Sequence, residues 1–381
     1  MVTKLLIISH TPHYLENDVA VGWGPTINEI NFLSNTFTSI THVACLFKNV
    51  DAAAGSVAYV TSNVTFKAIP PFGGEKIVDK LRIFTLLPKI LRVINKELKT
   101  ATHVQVRLPM GLGNLLLPYL TFKKRRFLLW FKYAGNWDYP NAPLGYRFQK
   151  WWLSNNLCRA KVTLNGFWEK QPEHCYSFEN PSLTDLDIQN GKKNLEMLDF
   201  QPPYRFIFVG RLIPSKGVDR IIEALKTVDL QHVAQITFVG NGPDANRYKE
   251  ETSFLKDKVN FPGFLHKDAI HALLRKSHFL LLPSDSEGFP KVVTEAACYG
   301  CLSLVTSVSA IPHYVKHQIN GFLWDMNNGA NFGTLINLAM QSDSKDLKEM
   351  SQNAHTMSTS FTFENYHRKL EEEIFANNTI K

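Results

Sequence analysis

Between residues 205 and 324 the chain repeats one pattern: a short run of consecutive apolar residues, a polar or glycine-bearing loop, then apolar residues at helical spacing. Residues 205–209, 234–239, 258–261, 279–283, 302–306 and 321–324 fit strands, and 218–225, 244–255, 267–276 and 290–299 fit the helices between them. Strands that are apolar on both faces and joined by helices belong in a parallel sheet covered on both sides. A doubly wound sheet of this kind binds ligands beyond the carboxyl ends of its strands, so the chemistry is to be sought in the loops that follow them.

The first half shows the same alternation less sharply. Residues 4–9, 40–47, 103–107, 126–131 and 161–164 fit strands, with a helical stretch over 75–98. After the first strand, Gly22-Trp23-Gly24-Pro25 reads as a loop that lets a ligand or another domain approach the backbone, and it opens a helix through Ile30 and Leu33. At 381 residues the chain exceeds what one hydrophobic core usually organises. The predicted organisation is two Rossmann-like α/β domains, residues 1–183 and 204–361, joined by a polar linker over 184–203 that ends in Pro202-Pro203. A last helix over 362–381 is expected to pack back on the first domain.

The loop Gly210-Arg211-Leu212-Ile213-Pro214-Ser215-Lys216-Gly217 follows the strand at 205–209. Arg211 offers a planar fork for phosphate oxygens and Lys216 a compact point charge, both beside a helix N-terminus, so a pyrophosphate suits the set. After the strand at 279–283 the chain reads Ser284-Asp285-Ser286-Glu287-Gly288-Phe289-Pro290-Lys291-Val292-Val293-Thr294-Glu295. An ionised carboxylate only accepts, so Glu287 in the loop and Glu295 in the helix can each take hydrogen bonds from sugar or ribose hydroxyls. Between them, at Gly288, Phe289, Pro290, Lys291 and Val292, the helix start presents unpaired N–H groups to a phosphate.

These two loops together resemble the donor site of glycosyltransferase family 4, whose E-x7-E signature aligns with Glu287 and Glu295. The resemblance runs from about Tyr204 to Trp324 and includes Val239-Gly240-Asn241-Gly242-Pro243 and Asn320-Gly321-Phe322. It implies a GT-B fold, two Rossmann-like doubly wound domains facing a central cleft. It implies a retaining transfer from a nucleoside-diphosphate sugar, with UDP or GDP the first bases to try, and no metal or other cofactor. By the same resemblance Glu287 contacts the donor sugar, Glu295 the ribose, and Arg211 with Lys216 the diphosphate, while Gly210, Gly240 and Gly242 complete the donor pocket.

Two rival motifs carry less. Gly240-Asn241-Gly242-Pro243-Asp244-Ala245 also satisfies the loose dinucleotide pattern G-x-G-x-x-A, yet the acidic residue wanted about 20 positions on is missing and Asn260-Phe261 stands there. Asp185-Leu186-Asp187 imitates a metal-binding D-x-D, but it lies in the predicted linker and is expected to be a solvated loop. A sugar-nucleotide epimerase, a phosphorylase and a non-catalytic sugar-nucleotide-binding module are the alternatives on a similar fold. The first needs no acceptor, the second consumes inorganic phosphate, and the third binds donor without turnover.

On the acceptor side, many family members carry a histidine after the strand that here ends in Arg107-Leu108-Pro109-Met110-Gly111. Arg107, His10, His13, Gly22, Gly24 and Asn136 are the candidates in its place, with a purely structural role the competing reading for each histidine. The acceptor is expected to be a glycan or a lipid-linked molecule of cell-envelope or surface polysaccharide synthesis. The formal net charge of +8 favours an anionic partner. Lys123-Lys124-Arg125-Arg126, running on to Trp130, and the basic stretch over 76–99 mix cations with apolar side chains as an anionic membrane surface requires, although a solvated helix face would look similar. No helix-turn-helix, zinc-finger or RNA-recognition pattern accompanies these cations, so nucleic acid is not an expected partner.

Five cysteines without the spacing of a secreted scaffold are expected to be reduced, and Cys298 with Cys301, in a small-residue helix, to serve packing. The first apolar run is short for a signal peptide, and no uninterrupted apolar run reaches about 18 residues. A cytoplasmic protein, peripheral on the inner face of the membrane, is the expectation.

Overall fold

The computed structural model describes residues 2–74, 77–124 and 126–376, and it divides the chain into two α/β units, residues 1–178 with 367–381 and residues 179–366. The first unit runs β1 (Lys4–Glu16), β2 (Val19–Trp23), α1 (Gly24–Leu33), β3 (Ser39–Leu46), β4 (Ser56–Ala58), β5 (Val64–Ile69), α2 (Ile77–Leu98), β6 (His103–Leu108), α3 (Gly113–Phe122), β7 (Leu128–Tyr133), α4 (Leu144–Ser154), β8 (Lys161–Asn165) and β9 (Cys175–Phe178). Its sheet is parallel in the order β5-β3-β1-β6-β7-β8-β9, and β2 joins β1 antiparallel and carries β4. Leu6, Ile8, Val104, Val106, Phe131 and Val162 form the middle of its core, against the buried stripe Ile90, Ile94 and Leu98 of α2.

The second unit runs α5 (Asp185–Met197), β10 (Tyr204–Val209), α6 (Val218–Leu225), β11 (Val233–Val239), α7 (Ala245–Glu251), β12 (Val259–Gly263), α8 (Lys267–Leu274), β13 (Phe279–Leu282), α9 (Lys291–Cys298), β14 (Leu302–Thr306), α10 (Ile311–Tyr314), β15 (Phe322–Trp324), α11 (Phe332–Gln341), α12 (Ser344–Ser358) and α13 (Phe363–Lys369), whose last residues belong to the first unit. Its six strands are all parallel in the order β12-β11-β10-β13-β14-β15. Every residue of β13 and β14 is buried, as strands covered on both faces require. In α6, Val218, Ile221, Ile222 and Leu225 are buried at helical spacing.

The predicted strands of the second half stand within two residues of the observed ones, and the helix over 218–225 is α6. Two expectations fail. The predicted linker holds α5, which belongs to the second unit: Asn194 Nδ2 donates to the Tyr299 carbonyl at 2.8 Å, and Gly191 lies so close to Cys298 that a Cβ there would meet its carbonyl oxygen at 2.0 Å. The first strand does not stop at residue 9 but continues to Glu16 and turns through Asn17 and Asp18, both at positive φ, into β2. Asn and Asp tolerate that conformation, so the supposed glycine loop is a hairpin strand followed by α1. The predicted closing helix is α13 followed by a wider helical turn over Leu370–Phe375, the part from His367 grouping with the first unit, while residues 377–381 lie outside the described residues.

Candidate active site

In the second unit the carboxyl ends of β10, β11 and β13 are neighbours, and their loops are knitted through backbone. Leu212 N–H donates to the Asn241 carbonyl at 3.0 Å, and Asp285 N–H donates to the Ser215 carbonyl at 2.9 Å. Gly240 stands at φ +133, and a Cβ there would lie 1.9 Å from the Gly210 carbonyl oxygen. Glycine is therefore needed at 240 because two loop backbones touch, a cause the sequence does not distinguish from ligand approach. Gly242 sits equally close to Leu212, and Arg220 binds the Pro283 carbonyl at 2.8 Å and the Asp285 carboxylate, tying α6 to the loop after β13.

This framework brings Lys216 and Glu287, two of the predicted donor residues, together. Lys216, at the end of the short turn Pro214–Lys216, donates to Glu287 Oε1 at 2.6 Å, and the two side chains are 27 % and 10 % exposed. Arg211 is exposed at the tip of the same loop. Gly288 and Pro290 lead into α9, with Phe289 buried against Tyr314 and Phe361. No side chain caps the N-terminus of α9, and Pro290 at its cap brings no N–H. Lys291 and Glu295 lie one turn apart on that helix, half-buried, while Val292 is buried behind them. The Glu295 carboxylate has no hydrogen-bond donor among the described residues, and burial pushes its pKa up, with His271, Lys267 and Lys291 pulling the other way. A half-buried acceptor without a donor is costly unless something outside the chain supplies one.

A cluster the sequence did not point to borders Glu295. Asp187 and Thr184 form a reciprocal capping box at the start of α5, so Asp185-Leu186-Asp187 is a helix start and not the solvated loop expected. Asp187 Oδ2 also accepts from Lys267 Nζ at 2.9 Å, and Oδ1 lies 3.5 Å from His271 Nδ1. Burial alone would raise the Asp187 pKa, but His271 and Lys267 hold it far below the usual carboxylate range. Thr184, Lys267 and His271 all belong to the chain, so Asp187 serves the fold. Cys298 and Cys301 are buried thiols, Cys298 pushed up to about 12 by burial, in keeping with packing. Among the described residues no group of His, Cys, Asp and Glu is arranged to hold a metal ion.

The acceptor-side candidates in the first unit fare differently. His13 is fully buried: its Nδ1 donates to the Thr11 carbonyl at 3.0 Å and its Nε2 accepts from the Tyr59 hydroxyl at 2.7 Å. A Cβ on Gly22 would meet His13 Nε2 at 2.6 Å, so this glycine makes room for the ring. Burial lowers the His13 pKa to about 4, and His42, bonded to the same Tyr59 hydroxyl, is lowered too. Both are structural. Gly24 is buried where its N–H donates to the Gly55 carbonyl at 3.0 Å, and Asn136 uses its side chain to accept the Asp138 N–H in a local turn. His10 is more than a third exposed, and its pKa is lowered first by the part of the ring withdrawn from water and then by nearby Arg107.

Arg107 and Lys132 are register partners on β6 and β7, and both bind Glu29 of α1: Arg107 to Oε1 at 2.6 Å, Lys132 to Oε2 at 2.7 Å. Arg107 also donates to Gln105 at 3.0 Å. This ion triad, which pins α1 to the sheet, was invisible in sequence because its members lie in three separate elements. It leaves Arg107 largely committed within the chain.

Residues 196–357 match the model of the family described as glycosyl transferases group 1. Among curated proteins, an uncharacterised glycosyltransferase of Methanocaldococcus jannaschii is 32% identical over 180 residues, 45% of each chain. The amylovoran biosynthesis glycosyltransferase AmsK of Erwinia amylovora is 30% identical over 155 residues, 38% of each chain. The chain thus spans less than half the length of these two relatives. Among solved structures, sucrose-phosphate synthase from Thermosynechococcus elongatus superposes with a TM-score of 0.71 at 16% identity, over 99% of this chain and 100% of that one. Anabaena HepE in complex with UDP superposes with a TM-score of 0.66 at 15% identity, over 98% and 100%. The chain has the GT-B fold, and its second unit carries a glycosyl transferases group 1 domain.

Proposed function

We propose that the protein is a retaining glycosyltransferase that moves a sugar from a nucleoside-diphosphate sugar to a hydroxyl of a glycan or lipid-linked acceptor in envelope or surface polysaccharide synthesis. The observation that carries this reading is the Lys216–Glu287 ion pair beside the uncapped N-terminus of the helix that bears Glu295, at the carboxyl ends of paired parallel strands. The group 1 domain, the relative that bears an amylovoran biosynthesis name, and the neighbour solved with UDP support it.

The Lys216–Glu287 pair and the family resemblance support the following roles. Lys216 exchanges its Glu287 partner for a diphosphate oxygen, and the released Glu287 carboxylate accepts from donor-sugar hydroxyls and orients the anomeric carbon. Arg211 and the N-terminus of α9 take the remaining phosphate charge as the bond to the leaving group breaks. Glu295 accepts the ribose hydroxyls. The acceptor hydroxyl attacks on the face from which the diphosphate leaves, and configuration is retained. With Arg211, Lys216 and the helix end neutralising the leaving group, no divalent ion is called for.

Thermal-shift measurements with UDP, GDP and their sugars test the donor. A ligand present at about 100 times its dissociation constant adds about 2.7 kcal/mol of stability. Proton NMR of the transferred sugar then reads the anomeric configuration. An inverted product overturns the retaining assignment, and donor binding without transfer to any glycan or lipid-linked acceptor leaves a sugar-nucleotide-binding module instead.

A further inference from the structure

The first unit carries a surface that glycosyl transfer does not account for. In α2 the stripe opposite the buried Ile83, Ile90 and Ile94 exposes Arg82, Lys89, Arg92 and Lys96. The end of α3 lies beside this helix, since the Lys123 ammonium donates to Asn95 Oδ1 at 2.7 Å and to the Tyr119 hydroxyl at 3.0 Å. The end of α4 meets the same turn of α3: Trp152 Nε1 donates to Thr121 Oγ1 at 3.1 Å, and that oxygen lies 3.1 Å from Cys158 Sγ. Each of these anchoring residues has an apolar neighbour in the chain that stands in solvent, Phe122 at 85 %, Trp151 at 55 % and Leu157 at 37 % exposure. Leu144, on the same face of α4 as Trp151, is also exposed.

Around these apolar side chains Arg92, Lys96, Lys124 and Arg126 are exposed, and none has an acidic partner among the described residues. Arg125, between the last two, lies outside the described residues. Unpaired cations repel one another, and exposed large apolar side chains are poorly solvated; an anionic surface with an apolar layer behind its charges relieves both. A single-stranded nucleic acid would also answer to cations and rings. It offers nothing to Leu144 and Leu157, which have no π-face on which a base could stack.

We propose that this face of the first unit, centred on Phe122 and Trp151, docks on an anionic lipid bilayer. Arg92, Lys96, Lys124 and Arg126 bind headgroup phosphates while the rings and leucines enter the boundary of the acyl chains. No described helix is long and apolar enough to cross a membrane, and this attachment needs none. Its use in catalysis rests on the reading that the acceptor is lipid-linked or borne by the envelope, whereas the docking itself stands on the surface alone.

Co-sedimentation of the whole chain with phosphatidylcholine vesicles, with and without phosphatidylglycerol, tests it. Binding is expected only to the phosphatidylglycerol vesicles, and raised salt weakens it. The combined Arg92→Ser, Lys96→Ser and Lys124→Ser variant is expected to lower partitioning on the order of 100-fold. Phe122→Ser and Trp151→Ser should each lower it about tenfold, whereas Lys124→Arg and Trp151→Phe keep it. UDP or GDP affinity, measured by calorimetry on the same variants, stays at the parent value. Equal partitioning to both vesicle types, no partitioning, or charge variants that bind as the parent does overturn the proposal. Tighter binding of a single-stranded oligonucleotide, lost in the same variants, overturns it in favour of a nucleic-acid surface. Vesicle binding by a chain that binds no nucleotide keeps the docking surface and removes the transferase reading; nucleotide binding without vesicle binding does the reverse.

Discussion

The Lys216 ammonium and the Glu287 carboxylate, 2.6 Å apart, join the loop after β10 to the loop after β13, so the cation proposed for the diphosphate and the carboxylate proposed for the sugar hold each other in place. Replacing either is therefore expected to have two consequences. Lys216→Met should lower stability by about 1–3 kcal/mol, because Glu287 is left nearly buried without its donor. Its main effect should be on nucleoside-diphosphate affinity, while Glu287→Gln should chiefly lower kcat. Calorimetry with UDP or GDP beside steady-state rates reads the split, and the reverse pattern exchanges the two roles.

Glu295 should behave unlike a residue kept for the fold. Its raised pKa means that the folded state disfavours its charge, a cost present above the ordinary glutamate pKa and absent below it. Glu295→Gln is thus expected to leave stability at neutral pH unchanged or slightly increased. Loss of a charge-assisted hydrogen bond to the ribose, about 1.5–3 kcal/mol, weakens nucleoside-diphosphate binding roughly 10- to 150-fold. A variant that loses stability and keeps nucleotide affinity places Glu295 in the scaffold.

Activity should survive EDTA, since the proposed site neutralises the leaving diphosphate with Arg211, Lys216 and the α9 N-terminus. Complete loss on chelation, restored by magnesium or manganese, would show that a metal ion shares the task.

The buried ion triad predicts an asymmetry between its members. Glu29→Gln leaves Arg107 and Lys132 without their shared carboxylate and should cost about 3–5 kcal/mol, whereas Arg107→Gln leaves Glu29 paired with Lys132 and should cost less. Urea denaturation of the two variants measures this. If Arg107 also contacts acceptor, Arg107→Gln raises the acceptor KM beyond what a stability loss produces.

Acid should destabilise the first unit earlier than the carboxylates alone would allow. His13 has a folded pKa of about 4 against about 6.5 unfolded, so the unfolded chain takes up the proton first. Stability is complete above about 6.5 and falls through the window down to about 4, by about 3 kcal/mol for His13 in full, with His42 adding in the same direction. The urea midpoint should drop between pH 7 and 5, and His13→Gln should flatten that slope.

What the sequence determined by itself is the part of the protein in which local pattern and tertiary demand coincide. Strands such as Phe279–Leu282 must be apolar on both faces to lie inside a parallel sheet, and α6 must bury one stripe, so both are legible in a single pass. The loops proposed to hold the donor were legible for a related reason, because each cluster of charge follows directly on such a strand. The tertiary structure decided everything that depends on residues distant in sequence. A polar stretch with paired prolines reads as a linker, yet α5 becomes part of the second unit because Thr184 and Asp187 cap it and Asn194 reaches the Tyr299 carbonyl. His13 reads in sequence as a structural ring with a pocket role as the alternative, and hydrogen bonds to Thr11 and Tyr59 on both ring nitrogens, with the ring buried, favour the structural role. Gly240 is required by the backbone of Gly210, and Arg107 is claimed by Glu29, a contact no local pattern encodes. Hydrophobic periodicity is a property of neighbours along the chain, whereas a polar side chain's role depends on which partner folding brings within about 3 Å of it.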